Sequence, residues 1–337
     1  MNVTIKDVAK KAKVSVATVS RVINNIQQEK VSAATRAKVQ GIVADLGFKP
    51  NLAARSLSRQ ITSHIGLFLP FSKGVFIDSY YSMIIQGIMA EINNRRYSLT
   101  LYDANLLAKD FSLPLKEKQV DGLLIVGPPD NQLKKLLPFS KSILMLSATF
   151  NMLGFSSIDC DNISGAEKAV DHLCELGHRN IALVTGPETV INSKDRVKGF
   201  HQSLKKHGLP VNPDYIVNGD FVYSKGILAA RKLLAVSPRP TAVFCANDTM
   251  AFAVIHVAKE MGLSVPEDIS VVGFDDVEMA AENQPGLTTV RQPITEIGTQ
   301  GVKMLFQQMQ SKEFTPSNIV LPVELVKRES CRKIAAA

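Results

Sequence analysis

The sequence predicts a small all-α head over residues 1–49, a short connecting segment over 50–60, and an α/β body over 61–337 made of two lobes, each with a doubly wound parallel sheet. Three observations predict this. The positive charge is confined to one end, helical periodicity runs through the first 48 residues, and from residue 61 apolar runs alternate with amphipathic stretches. At 337 residues the chain exceeds what one ordinary core organises, so two or three domains are expected.

The first 60 residues hold 11 Lys and Arg against 3 acids, which accounts for the whole net charge of +8; the other 277 residues are balanced, with 28 of each sign. A basic head on a neutral body is the electrostatic footprint of a phosphate-binding module, although a solvated basic face would read the same way by charge alone.

In the head, Thr4 and Asp7 have capping-box spacing, and Ile5, Val8, Ala9 and Ala12 then mark one apolar face of a short helix. Lys13 and Val14 make a tight connection to a second helix, N-capped by Ser15, with Val19, Val22 and Ile23 turned inward. Ser32 caps a third helix that buries Val39, Ile42, Val43 and Leu46 and stops at Gly47. Two short helices across a tight turn, buttressed by a third, form the helix-turn-helix plan, in which the second helix enters the major groove. Its outward residues are Val16, Ala17, Thr18, Arg21 and Asn24. Arg21 suits the O6/N7 edge of guanine, Val16 and Ala17 suit thymine methyls, and Ser15, Thr18 and the terminal amides suit phosphates, with Thr4 counted beside them. Pro50 ends the third helix, and Asn51 can cap a run of about two turns that is marginal alone in water.

In the body, the candidate strands are 64–71, 98–104, 122–127 and 142–147, followed by a second set at 180–186, 241–247 and 269–275. Helical stretches lie between them, among them 79–96, 163–177, 195–207, 224–236 and 248–262. Two such sets predict two parallel α/β lobes with a ligand cleft at the carboxyl ends of their strands.

Other classes are excluded or disfavoured. No apolar run approaches ~18 residues, the length that reads as a membrane span. The opening MNVTIKDVAKK has no apolar signal core, so a cytoplasmic protein is expected. Cys160, Cys174, Cys245 and Cys331 are scattered and read as reduced, mostly buried thiols, with neither metal nor cofactor implied. The chain lacks a dinucleotide fingerprint, a phosphate loop, a nucleophile elbow and a zinc-protease motif. His172, His178, His201 and His207 read as surface or satisfied residues, so no enzyme is expected.

The stretch TIKDVAKKAKVSVATVSRVIN, followed by VSAATRAKVQGIVADLGFKPNLAARSL, resembles the DNA-binding head of the LacI/GalR family across residues 3–58, with Val16, Ala17 and Arg21 closest to the galactose-repressor branch. The loop Asn25 to Lys30 is about one residue longer than in many members. GHRNIALVTGP, RVKGF, RPTAVFCANDTMA, VPEDISVVGFDD and LTTVRQP resemble the family's effector domain, which is similar to periplasmic sugar-binding proteins. The resemblance implies a hinge helix over 50–60 that forms on DNA, with Leu57 wedged into the minor groove and Ala54 allowing paired hinges to approach.

By the same resemblance the chain crosses between lobes near Asp159–Asp161, Thr289–Pro293 and Ser317–Leu321. The N-lobe is then about 61–160 plus 290–317, and the C-lobe about 161–289 plus 318–331. The ligand residues it implies are Tyr80, Tyr81, Arg196, Phe221, Asn247 and Asp275. By residue type alone Asp275 is a ligand group or a helix cap, Asn247 and Asp248 compete to cap one helix, Arg196 reads as surface, and Phe221 and the tyrosines read as packing. Ser147 stands where lactose-type members carry an acid, so the effector's identity does not transfer. The end CRKIAAA lacks the leucine heptads of tetrameric members, which implies a homodimer on a palindromic operator.

The expected function is a repressor of sugar-utilisation genes governed by a carbohydrate-type effector in the interlobe cleft. The alternative is a corepressor-dependent regulator responding to a purine, nucleoside or sugar phosphate. A periplasmic binding protein would not need the basic head, and an architectural DNA protein would not need the body.

Overall fold

The computed structural model describes residues 3–24, 30–48, 61–69, 79–103, 110–127, 130–148 and 154–334. The chain divides into two units, Met1–Thr62 and Ser63–Ala337.

The first unit is a three-helix bundle. Helix α1 (Ile5–Ala12) begins at a reciprocal capping box, with Asp7 accepting from the Thr4 amide at 2.8 Å and the Thr4 hydroxyl accepting from the Asp7 amide at 3.4 Å. Lys13 adopts a left-handed conformation (φ 54°) and turns the chain into α2 (Val16–Asn24), where the Ser15 hydroxyl accepts from the Thr18 amide at 3.1 Å. Ser32 caps α3 (Ala33–Asp45) by accepting from the Thr35 amide. Val8, Ala9, Ala12, Val19, Val22, Val31 and Val39 form the buried core. It is built from small side chains, each contributing roughly 1–3 kcal/mol.

The body contains two six-stranded sheets. In the N-lobe the order is β11-β5-β4-β3-β1-β2, and in the C-lobe β12-β10-β9-β8-β6-β7. The N-lobe strands are β1 (His64–Leu69), β2 (Ser98–Asp103), β3 (Gly122–Val126), β4 (Ile143–Leu146), β5 (Ser156–Cys160) and β11 (Asn318–Leu321). Those of the C-lobe are β6 (Ile181–Thr185), β7 (Ile216–Asn218), β8 (Ala242–Cys245), β9 (Ser270–Asp275), β10 (Thr288–Arg291) and β12 (Glu324–Val326). All pairings are parallel except β10 with β12.

The longer helices are α4 (Ser79–Asn94), α5 (Asn162–Glu175), α6 (Ile191–Lys206), α7 (Tyr223–Leu234), α8 (Asp248–Glu260) and α9 (Ile294–Gln310). In the C-lobe α5 and α6 cover one sheet face and α7 and α8 the other. In the N-lobe α4 and α9 share one face, whereas Phe111, Leu133 and Leu136 pack on the other. One buried cluster runs through both lobes, from Ile65 and Ile84 to Phe200 and Phe274. Helix α9 lies so close to α4 that a Cβ on Gly298 would meet the Ile84 carbonyl, so only glycine fits there.

The three lobe crossings fall in the ranges expected from the sequence, but two of the approximate lobe limits shift by a few residues. Residues 318–331 are assigned there to the C-lobe, yet Asn318–Leu321 pairs in parallel with Ser157–Cys160 in the N-lobe sheet. The reason is the partner strand: β5 reads SSIDC, and its Ser157 hydroxyl donates to the Asn318 amide oxygen at 2.8 Å. Similarly, Val290 and Arg291 fall in the N-lobe on the sequence reading but pair with Phe274 and Asp275 in the C-lobe sheet. The chain therefore changes lobes after Cys160, after Arg291 and after Leu321.

Candidate functional site

In the head, α2 presents an exposed N-terminal turn. Val16 is 41% exposed, Ser15 and Ala17 are exposed, and Thr18 and Arg21 are half-buried. The Ser15 and Thr18 hydroxyls bond each other at 2.9 Å, which holds both at the helix start beside its free amides. Thr4 is exposed but engaged in its capping box. Asn24 ends α2, and its side chain lies outside the described residues, as do Asn51, Ala54 and Leu57.

In the body, a cavity of about 140 Å³ opens at the carboxyl ends of the strands of both lobes. Tyr80, Tyr81, Arg196, Phe221, Asn247 and Asp275 all line it, although they lie far apart in sequence. The first turn of α4 supplies the tyrosines, α6 supplies Arg196, and the turn into α7 supplies Phe221. Asn247 and Asp275 sit at the ends of β8 and β9.

Arg196 is 3% exposed and held on several sides. Its Nε donates to Asn162 Oδ1 at 2.9 Å, its Nη1 donates to the Ala246 carbonyl, and its guanidinium lies 3.7 Å from the Phe274 ring centroid. Asp275 Oδ1 is 3.7 Å from Arg196 Nη1 and accepts from Gln292 Nε2 at 2.5 Å. Gln292 in turn accepts from the Cys160 thiol at 3.2 Å, so two of the three lobe crossings meet at the cavity's carboxylate. Asp275 caps no helix, because the short helix Glu278–Glu282 starts after Val277 without a side-chain cap.

Asn247 caps α8, accepting from the Met250 amide at 2.9 Å, while its Nδ2 donates to the Phe221 carbonyl. Asp248 faces away into the C-lobe core, where it accepts from the Thr289 hydroxyl at 2.5 Å and the Val277 amide at 3.0 Å. Burial raises its carboxyl to about 6 against those hydrogen bonds. Burial likewise pushes the Tyr80 hydroxyl well above its usual range; its hydrogen bond to Ser147, 2.5 Å long, opposes this, and Asp159 and Asp275 add to it.

Sequence reasoning alone does not mark Val126, Gly127, Val190 and Asn192 as lining residues, and it notes Ser147 only as a departure. Asn192 stands one helical turn before Arg196, and Val126 and Gly127 close an apolar strand at its carboxyl end, so both signals were present. The backbone holds a signal that sequence does not. Ser147, Phe221 and Asp275 carry positive φ values of 51°, 58° and 134°, a concentration of unfavourable conformations at one cavity. Gly186 completes the arrangement, since a Cβ there would collide with the Phe221 ring. Among the described residues no His, Cys, Asp or Glu cluster is arranged for a metal, and no helix is long and apolar enough to cross a membrane.

The family model "Bacterial regulatory proteins, lacI family" matches residues 4–51, and the model "Periplasmic binding protein-like domain" matches residues 170–331. The HTH-type transcriptional repressor CytR of Escherichia coli (strain K12) is 36% identical, covering 98% of this chain and 97% of the relative. The chain belongs to the LacI family. The lac repressor dimer bound to operator and the anti-inducer ONPF superposes with a TM-score of 0.85 at 30% identity, over 98% of this chain and all of that one. The transcriptional regulator CelR in complex with cellobiose is also 30% identical, with a TM-score of 0.74 and the same coverage. As a LacI-family member the protein is a DNA-binding transcriptional repressor with an effector-binding domain, and these relatives are regulators rather than enzymes.

Proposed function

We propose that the protein acts as a homodimer on a palindromic operator, and that a small carbohydrate-type effector in the interlobe cavity sets its operator affinity. The observation that carries this reading is the convergence of six separated residues from both lobes on one cavity. Vicinal hydroxyls suit Arg196, Asp275 and Asn247, and the CH face of a sugar suits Phe221 and the tyrosines. The operator and cellobiose complexes of the two structural relatives support each half of it.

The mechanism is a two-state dimer. Effector binding changes how the N-lobes sit across the dimer, and the hinge helices over 50–60, with Leu57 and Ala54, form or melt in response. Release of DNA by the effector is the favoured direction. In the head, Arg21 reads a guanine, with Val16, Ala17 and Asn24 on neighbouring bases and Ser15, Thr18, Thr4 and Asn51 on phosphates.

The test is fluorescence anisotropy on a palindromic duplex at several salt concentrations, with and without a sugar panel. Tight binding with a steep salt slope, relieved by one sugar, is the expected result. Sugar binding without any sequence-preferring DNA binding would overturn it. Arg21→Ala is expected to cost about 1–3 kcal/mol and to relax preference at one base pair. Leu57→Gly is expected to abolish specific operator affinity while ligand binding persists, and unchanged affinity removes the hinge from the mechanism.

A further inference from the structure

We propose that Asp121 is a positioning residue that ties the chain arriving from the DNA-binding head to helix α4, and that through this tie the cavity and the head sense each other. This rests on the effector-controlled repressor read above and names a group that carries the control.

Three segments meet at the amino ends of N-lobe strands, the edge of the sheet opposite the cavity. Ser63, Tyr97 and Asp121 immediately precede β1, β2 and β3. Ser63 is also the first residue of the body unit, and the head precedes it in the chain. Its amide donates to Asp121 Oδ2 at 2.9 Å, and its carbonyl accepts from the Ser98 amide at 2.9 Å. Ser63 is left-handed, with φ 60°, a conformation that a residue with a Cβ keeps only where its surroundings enforce it. Asp121 adds a second hold on the entering chain, since its own amide donates to the His64 carbonyl at 2.9 Å.

The other arm of the tie is Tyr97, whose hydroxyl bonds the Asp121 side chain. Burial, then the charge of Asp121 and this bond, push the hydroxyl up to about 12, so it stays a donor at neutral pH. Tyr97 is fastened to the end of α4. Arg96 turns the chain there with φ 58°, and the Tyr97 amide donates back to the Ile92 carbonyl at 3.3 Å. The Tyr97 ring stands edge-on against Phe306 of α9, with centroids 4.8 Å apart.

Helix α4 reaches from this knot to the cavity. Its first turn carries the lining residues Tyr80 and Tyr81, and its 16 residues span about 24 Å at 1.5 Å each. A Cβ on Gly87 would collide with the Thr295 carbonyl, and one on Gly298 with the Ile84 carbonyl. The two helices therefore touch along their backbones, and close packing of that kind transmits a shift rather than absorbing it. A displacement of Tyr80 and Tyr81 arrives at Tyr97, passes to Asp121, and changes how Ser63 is held.

Coupling between two sites is reciprocal, so the head must also report to the cavity, with no effector present. The experiment is amide hydrogen exchange on the full chain, free and bound to the palindromic duplex it selects from a randomised pool, read at the first two turns of α4. In the native protein the duplex is expected to alter exchange there about tenfold, in the range of ordinary coupling between sites. Asp121→Ala and Tyr97→Phe should each reduce that change to about twofold or less, because each removes a hydrogen bond to a charged group. Tyr97→Phe keeps the ring on Phe306 and answers the case in which Asp121→Ala does not fold. Tyr215→Phe deletes a C-lobe phenol bond of the same kind, to the Pro238 carbonyl at 2.8 Å, and should leave the change intact. No response at α4 in the native protein, or a full response in Tyr97→Phe, overturns the proposal. A response lost equally in Tyr215→Phe reports general loosening and overturns it as well. The sugar-panel anisotropy stands apart from these outcomes: release of operator by a sugar without any exchange response at α4 leaves the effector reading in place and removes Asp121 from it, whereas the expected exchange result with no releasing sugar overturns the effector reading alone.

Discussion

In the N-lobe the cavity wall is Tyr80, Tyr81, Val126, Gly127 and Ser147; in the C-lobe it is Val190, Asn192, Arg196, Phe221, Asn247 and Asp275. Apart from the antiparallel edge strand β12, the two lobes repeat one strand order, yet they divide the chemistry. Among the described residues the N-lobe wall carries no charge, and there Tyr80 donates to Ser147. The C-lobe wall holds both charges in a buried network tied to the lobe crossings through Asn162 and Gln292. Duplicated topology therefore does not duplicate function. The C-lobe half is already assembled by the protein's own groups, with Arg196 held by Asn162 and Asp275 by Gln292.

The largest effect should come from the C-lobe network. Arg196→Ala removes the guanidinium 3.7 Å from Asp275 at a site 4% exposed, together with its bonds to Asn162 and Ala246, a loss of about 3 kcal/mol or more. Effector binding by calorimetry and operator release by anisotropy should both vanish, with effector-free operator binding retained. A retained response would break the comparison outright.

The buried C-lobe acid Asp248 gives the next effect, and its sign is distinctive. Its folded-state value of about 6 lies above the ordinary carboxylate value of 3.8, so the unfolded chain releases its proton first as pH rises. Stability contributed by this group is present at low pH and lost between those values, by up to about 3 kcal/mol. Urea denaturation of the native protein and of Asp248→Asn across that window should show the native advantage shrinking as pH rises. A difference independent of pH would remove Asp248 as its source.

Gly186→Val tests the aromatic part of the C-lobe wall. Its side chain should drive the Phe221 ring from its place and weaken effector binding by about tenfold to a hundredfold, roughly 1–3 kcal/mol, with operator affinity unchanged. The smallest effect belongs to the N-lobe. Tyr80→Phe deletes one hydrogen bond to Ser147, about 1 kcal/mol, and should weaken the effector only a few-fold. An N-lobe loss as large as that of Arg196→Ala would show that the two walls share the binding energy equally.

Much of this was legible in the amino-acid order, because the relevant signals are local. Capping at Thr4, Ser15 and Ser32, the apolar face of α1, and the apolar strands from His64–Leu69 to Ser270–Asp275 follow from neighbours a few residues apart. The motifs around Arg196, Asn247 and Asp275 also named the residues that converge on the cavity. Only the tertiary structure decided the rest. Strand β5 is fully buried although it reads SSIDC, because its serines find partners far away in sequence at Ser317 and Asn318, and Asp159 accepts from the Cys160 amide and from Asn162. The same pairing draws Asn318–Leu321 into the N-lobe against the sequence reading. The left-handed backbone at Ser147 and Phe221, and the unmet acceptor of Asn192, likewise arise where distant segments meet. Hydropathy and spacing record what a residue prefers; burial of a polar strand or a strained turn depends on partners that only folding brings within hydrogen-bond reach.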